Sequence, residues 1–405
     1  MNPVERRLIG YTAAAHGLVH IMELTYPALL SRIEHDFGIR AFVAGALATV
    51  FGWAFGSSAI PAGFLTDRLG SRRVVVYAFS LAAVMAVLVG LAPNAWLLGA
   101  GLLGLGLSIG LYHPAGLSLM AQGVRQRGLA LGFHGVAGNI GQALAPAIAV
   151  GLAVAVDWRL AFFFVAALAA VLAVVMAAVR LPLQGEAEVV SSEAAPEHRP
   201  APNLRNHRLL APLLITYAAF VLSGTVYRGA ITFLPQHLED FVDKDLGGAF
   251  ATVALLFGAL GQLVGGTLSQ RVKLERLAPV IGVLTLPPLI LTGLLTGAPL
   301  VVVASVFVFF YFANQPVLTG LIADYSPAGA VGRSYGISFF AGFGLGSTGG
   351  IIAGAFVDRW DTSAAFLGLS AFLAVTFVLI MVLWVMAERR VRAAPLAQVG
   401  AEGSL

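Results

Sequence analysis

Chemistry in this sequence has to come from the few ionisable side chains that sit inside long apolar runs. His16, His20 and Glu23 are spaced i, i+4, i+7 within the first such run. At 100° per residue they share one narrow helix face, and Pro27 continues the stripe. Ionisable groups in a membrane-spanning helix are costly and ordinarily face a bundle interior or a water-filled cavity. Histidine changes charge near neutral pH, so two imidazoles and a carboxyl in one stripe can take up and release protons. The plainer reading is that His16 and His20 only hydrogen-bond neighbouring helices.

The second half supplies a counter-charge, Tyr227-Arg228, in the interior of an apolar run. Aligning Pro27 with Pro235 sets Arg228 opposite His20. An arginine stays charged, so it needs a carboxylate, a substrate anion or water. Two roles compete: an ion pair with Glu23 that protonation or substrate breaks, or a side chain reaching out to the membrane surface. His113 stands beside Pro114, which frees a helix carbonyl for a polar neighbour. His134 and Asn139 interrupt a run with glycines at 128, 132, 135 and 138, a smooth seam for close helix packing. Asn314-Gln315-Pro316 echoes Tyr112-His113-Pro114. Glu23, His20 and His16 are therefore the proton-coupling candidates. Arg228, Tyr227, His113, His134, Asn139, Asn314 and Gln315 are the substrate-binding ones.

Such residues need long apolar helices to carry them, and the composition supplies these. Of 405 residues 59% are hydrophobic and 11% charged, with mean hydropathy +0.88, against roughly 45–50% apolar residues in soluble domains. Runs long enough to cross roughly 30 Å of hydrocarbon as helices are expected at 8–29, 41–63, 73–91, 95–119, 128–153 and 159–179. Six more are expected at 209–235, 247–270, 278–296, 299–323, 333–356 and 363–386. The alternating short strands of a membrane barrel are not seen. Residues 181–208 turn polar and proline-bearing, as a linker does. The expectation is an all-α membrane protein of 12 transmembrane helices. Two six-helix bundles, 1–180 and 209–388, are joined by that linker and followed by a tail, 389–405.

Arginine and lysine set the orientation. One side receives Arg6, Arg7, Arg68, Arg72, Arg73, Arg125, Arg127, the linker arginines, Arg271, Lys273, Arg276, Arg333, Arg389, Arg390 and Arg392. The other receives only Arg32, Arg40, Arg159, Lys244 and Arg359. The bias places both termini in the cytoplasm and the protein in the inner membrane. A net charge of +4 spread over short loops makes no phosphate-binding surface, so nucleic acid is not an expected partner. Without cysteine there are no disulfides, thiolate metal sites or cysteine nucleophiles. Neither a hydrolase nor a zinc-protease motif nor a phosphate-binding loop occurs. An enzyme and an ATP-driven pump are therefore not expected, nor is a metal or cofactor.

The halves repeat one another. Tyr26-Pro27 matches Leu234-Pro235, and Asp157-Trp158-Arg159 matches Asp358-Arg359-Trp360. Gly265–Arg271 is a decayed copy of Gly63-Phe64-Leu65-Thr66-Asp67-Arg68-Leu69-Gly70-Ser71-Arg72-Arg73. That intact loop resembles the signature between helices 2 and 3 of the major facilitator superfamily, G-x-L-x-D-R-x-G-R-R. Only Ser71, first of the three closing positions, departs from a basic residue. His16 with Tyr26-Pro27, Tyr112-His113-Pro114, Arg127-Gly128 and Gly138-Asn139-x-Gly141 before Pro146 are similar to fosmidomycin-resistance-type exporters. Those are proton-driven drug antiporters of that superfamily. His20 stands where an acidic residue would be expected, and Gly138-Asn139 replaces a glycine-proline pair.

The resemblance implies alternating access by a secondary transporter, with proton antiport of a small organic or drug-like molecule. It also implies a cytoplasmic gate at Gly63, Asp67, Arg68, Gly70, Arg72, Arg73, Arg127 and Arg333, where Asp67 locks against the start of helix 11. Uptake of an organic anion with a proton, or a membrane sensor without flux, are the alternatives. The expected partners are a small-molecule substrate, protons and the lipid bilayer, and the expected working unit is a monomer.

Overall fold

In hydrocarbon a backbone can satisfy its polar groups only by pairing with itself, and every element of the structure is helical. The structure is a computed structural model and describes residues 3–124, 127–178, 210–327 and 331–402. The first half holds α1 (Pro3–Ala28), α2 (Leu30–Phe37), α3 (Ala41–Leu69) and α4 (Ser71–Gly90). It continues with α5 (Ala95–Gly110), α6 (Tyr112–Gly123), α7 (Arg127–Ala155) and α8 (Trp158–Ala178). The second half holds α9 (Leu210–Phe241), α10 (Gly247–Ser269), α11 (Leu274–Thr292), α12 (Gly297–Tyr325), α13 (Val331–Phe339), α14 (Gly349–Arg359) and α15 (Thr362–Glu402). The expected linker 181–208 lies outside the described residues.

Among the described residues eleven helical stretches are long and apolar enough to cross a membrane, α5 with α6 and α13 with α14 each forming one. α1 is not among them: His16, His20 and Glu23 dilute its apolar content. Five expected helices are altered in detail: the spans expected to end at 63 and 235 run on to Leu69 and Phe241, so that within Gly63–Arg73 only Gly70 lies outside a helix. The span expected at 95–119 breaks at Leu111, where Pro114 cannot donate to the Gly110 carbonyl. The span expected at 333–356 is split by a π-helical turn, Phe340–Gly344, and a 3-10 turn, Leu345–Thr348. Gly342, Gly344 and Gly346 offer no side chains to hold a regular helix there. The last helix runs on to Glu402, so the expected tail is helical over most of its length.

Within the first half α1 packs on α7, α3 on α5 and α4 on α8; within the second, α10 and α11 pack on α12 and α9 on α15. The largest fully buried side chains include Phe55, Phe79, Phe162, Phe233, Phe307 and Phe366. Large apolar residues also face outward, among them Leu88, Trp96, Val171, Val174, Val283 and Val378, the surface expected against lipid. Asp157 Oδ1 accepts from the Arg159 N–H at 2.9 Å, and Asp361 Oδ1 from the Ala364 N–H at 2.8 Å, at the starts of α8 and α15. The structural counterpart of Asp157 is thus Asp361 rather than Asp358, which lies near the end of α14.

The two halves interlock at one end. There α1 meets α9, α3 meets α14 and α7 meets α10. Arg32 lies 2.8 Å from Glu239, Ser31 also bonds Glu239, and Thr49 donates to the Ser347 carbonyl at 2.8 Å. At the opposite end Gly63, Gly332 and Gly336 have open space beside their Cα atoms, and Phe64 is 68% exposed. Among the described residues the halves are in contact at the α2 end, whereas the Gly63–Arg73 end is exposed.

Candidate functional site

The stripe on α1 meets α7 because α7 comes in with glycines. A Cβ on Gly141 would collide with the Gly17 carbonyl, and one on Gly138 would strike the His16 ring. Through this close approach His16 Nδ1 reaches the His134 carbonyl at 2.7 Å, and the two rings stack at 3.8 Å. His16 Nε2 lies 3.1 Å from His20 Nε2, and His20 Nδ1 lies 2.5 Å from Glu23 Oε2. Glu23 Oε1 lies 2.7 Å from an Arg228 terminal nitrogen on α9. A polar chain therefore runs His134–His16–His20–Glu23–Arg228 and crosses from one half to the other. Tyr112 steadies its far end, donating to the Thr12 carbonyl at 2.6 Å, so that His134 Nε2 at 3.1 Å is left to donate to the phenol oxygen.

The hydrogen count of this chain follows from its partners. A carbonyl only accepts, so His16 Nδ1 carries a hydrogen. One of the two facing Nε2 atoms must carry another. Whichever does, satisfying the His20–Glu23 contact as well takes one proton more than a carboxylate and two neutral imidazoles possess. The arrangement can hold a single extra proton, shared among His16, His20 and Glu23, beside a permanent cation.

Arg228 is 7% exposed, so it does not reach the membrane surface; it turns inward onto Glu23. Phe343, Tyr227 and Phe55 surround its guanidinium, with ring centroids at 5.3, 5.6 and 5.7 Å, in cation–π range. Among the described residues the Arg228 Nε, the terminal nitrogen facing Glu23 and Glu23 Oε1 are all buried without a hydrogen-bond partner, so the 2.7 Å contact is an ion pair and not a hydrogen bond. Tyr227 accepts from Gln142 Nε2 at 2.9 Å and stacks on Tyr311 at 5.8 Å. His113 packs against Phe55 at 5.3 Å and Phe339 at 5.5 Å, and its Nδ1 is also buried and unpartnered. Ring nitrogens of His16, His20 and His113 lie within 4.8 Å of one another. Imidazoles so close can hold a transition-metal ion, but here His16 and His20 spend theirs on the hydrogen-bonded chain.

Other candidates fall outside this centre. Asn139 is half-buried and takes no part in the chain. Asn314 lines a small cavity inside the second half with Tyr311, Thr285 and Thr376, and Gln315 is half-buried beside it. α12 reaches the centre through Tyr311, one turn earlier. At the Gly63–Arg73 end Asp67, Arg68, Arg73 and Arg333 are exposed. Gly70 closes α3 with φ +83°, a conformation that favours glycine. Arg72 donates to the Met176 and Ala177 carbonyls at 2.9 and 2.6 Å, tying α4 to the end of α8. The Arg127 side chain lies outside the described residues. Phe55, Phe339, Phe343, Tyr311 and Gln142 join the centre without a sequence pattern that marks them as site residues. Aromatic residues are common in apolar helices, and only the position of Gln142, one turn from Gly138, carried a signal.

The comparisons with known proteins agree with this architecture. The family model described as Major Facilitator Superfamily matches residues 13–349 and 242–404. A probable L-galactonate transporter of Escherichia coli is 24% identical over 264 residues, which is 61% of this chain and 58% of that protein. The probable sulfoacetate transporter SauU of Cupriavidus necator is 22% identical over 398 residues, covering 90% of this chain and 91% of the relative. In fold, the chain is similar to the crystal structure of a bacterial homolog to the human lysosomal transporter Spinster, in an inward-facing and unoccupied conformation. The TM-score is 0.73 at 16% identity, over 95% of this chain and 96% of that one. With a model matched over most of its length, a multi-pass helical architecture and a charged centre between two halves, this chain belongs to the Major Facilitator Superfamily.

Proposed function

We propose that this protein is a proton-coupled symporter of small organic anions in the inner membrane. It works by alternating access, with twelve spans and both termini in the cytoplasm. The carrying observation is that Glu23 is shared between His20 at 2.5 Å and Arg228 at 2.7 Å, in the interior, between the halves. While Glu23 is ionised it occupies Arg228. A proton on Glu23 withdraws that counter-charge, and a substrate anion can take its place. Proton and anion then strengthen each other's binding, and the coupling is reciprocal by linkage. Ligands that bind cooperatively travel together; antiport needs them to compete. The antiport and drug cargo expected from the exporter resemblance are replaced here for that reason. The two relatives, whose names specify L-galactonate and sulfoacetate, support an anionic cargo.

α1 supplies the twelfth span, its polar stripe covered by α7 and α9 rather than by lipid. The bias of arginine and lysine puts the Gly63–Arg73 end in the cytoplasm, so the conformation described is inward-open. Asp67 engages the start of α13 near Arg333 in the opposite, outward-open state.

The test is transport into liposomes loaded with a pH-reporting dye. L-galactonate and sulfoacetate are supplied outside at matched pH. Symport acidifies the lumen as anion enters, and Glu23→Gln abolishes the acidification. Anion entry that alkalinises the lumen, or leaves its pH unchanged, overturns the reading, and binding without flux points to a sensor.

A further inference from the structure

A second carboxyl lies between the halves, at the α2 end and apart from the Glu23 chain. Glu34 is on α2, beyond the end of the α1 span, and Gln236 is on α9. Gln236 Nε2 donates to Glu34 Oε2 at 3.0 Å. The remaining oxygens of both side chains, Glu34 Oε1 and Gln236 Oε1, are buried without a hydrogen-bond partner. With Glu34 ionised, both of these atoms are acceptors and neither can be satisfied by the other. A protonated carboxyl and an amide have complementary edges, however. The acid O–H donates to the amide oxygen while the amide N–H donates to the acid carbonyl. One proton supplies the donor that these two buried oxygens lack. Leaving such groups unpaired is what makes buried polar pairs costly.

We propose that Glu34 is a second proton-binding site of the transport cycle, loaded as the two halves close upon it and latched by Gln236.

The surrounding charges favour the neutral form. Asp358 of α14 and Asp240 of α9 act in this direction, and the Tyr26 phenol of α1 also faces Glu34; Glu239 of α9 is paired with Arg32, Asp36 of α2 is paired with Arg159 at 2.9 Å, and His35 of α2 is exposed. The nearby cations are engaged elsewhere, Arg32 with Glu239 at 2.8 Å and Arg40 beside Asp358 at 3.8 Å. Burial, reinforced by Asp358 and Asp240 and opposed by the Gln236 hydrogen bond, pushes Glu34 up to about 7. When the halves part, Glu34 meets water and returns to the ordinary glutamate value of about 4.3. The closed state is the one with the raised value. Closing therefore takes up a proton between these limits, is favoured in acid, and weakens as pH rises through about 7. Between about pH 5.5 and 7.5 the closed-to-open ratio falls about 20-fold from this group. The site builds on the alternating-access reading, because it acts only if this end opens.

The chain has no cysteine, so a distance probe needs no background removed. Fluorophores on Val156→Cys and Lys244→Cys, both exposed, report closure of this end in lipid nanodiscs across pH. The closed fraction of the otherwise wild-type protein falls as pH rises. Glu34→Gln, which reproduces the shape and donor of the protonated acid, removes about 20-fold of that dependence and stays closed at pH 7.5. Gln236→Leu removes the latch and opens this end at both pH values. A pH-independent wild type, or a Glu34→Gln protein with the full wild-type dependence, overturns the proposal. Either result leaves the Glu23–Arg228 symport reading to the liposome assay, which does not depend on Glu34.

Discussion

Breaking the central ion pair from its two sides should have unequal effects. Glu23→Gln leaves Arg228 buried, with aromatic faces around it and no counter-charge. Stranding one partner of a buried pair costs about 3–5 kcal/mol. Arg228→Gln instead leaves Glu23 bonded to His20 at 2.5 Å, where the shared proton neutralises it. That change loses the ion contact at 2.7 Å, which is not a hydrogen bond, and leaves the carboxyl with a donor, so it costs less than stranding the arginine. The double variant buries two neutral amides and strands no charge. It should be more stable than Glu23→Gln alone, giving a favourable coupling of about 2 kcal/mol or more. Equilibrium unfolding of the four proteins in mixed micelles measures the cycle. Transport adds an independent readout: Glu23→Gln keeps anion exchange but loses its dependence on the proton gradient, whereas Arg228→Gln loses anion binding. The reasoning fails if Glu23→Gln is no more destabilised than Arg228→Gln, or if the two costs simply add.

Three other perturbations follow from single contacts. Tyr112→Phe removes the hydroxyl shared by the Thr12 carbonyl and His134; it should cost about 1–2 kcal/mol and slow proton-driven transport without abolishing anion exchange. Asp67→Asn should insert normally yet reduce transport tenfold or more by weakening the outward-open state; unchanged transport would leave that loop only a topological role. A Cβ at Gly45 would collide with the Gly350 carbonyl, so Gly45→Val should open the α2 end. Faster maleimide labelling of a cysteine placed at the buried Ala44 would report it, and unchanged labelling would contradict it.

Much of this site can be read from the chain because helical periodicity is local. His16, His20 and Glu23 share a face whatever surrounds them, and the Pro27–Pro235 alignment already set Arg228 opposite His20. Both readings of Arg228 nevertheless remained open until packing was known, since an arginine two turns from a helix end can turn inward or outward. Asn314 and Gln315 show the converse. The repeat put them level with Tyr112 and His113, but α12 brings Tyr311 against Tyr227 at the centre, and Asn314 lines the small cavity behind it that Tyr311 also borders.

The sequence by itself determined that the chain is a two-fold repeat of long apolar helices carrying a protonatable stripe and, within one apolar run, a single arginine. Composition, spacing and proline positions are properties of neighbours along the chain, and they fix which residues share a helix face. Only the tertiary structure decided that Glu23 faces both His20 and Arg228, that three aromatic rings enclose the arginine, and that the halves meet at the α2 end. Those that cross between the halves join residues far apart in the chain, Glu23 and Arg228 among them. They depend on how close two backbones can come, which here is set by glycine carbonyls meeting glycine, a quantity that no local pattern encodes.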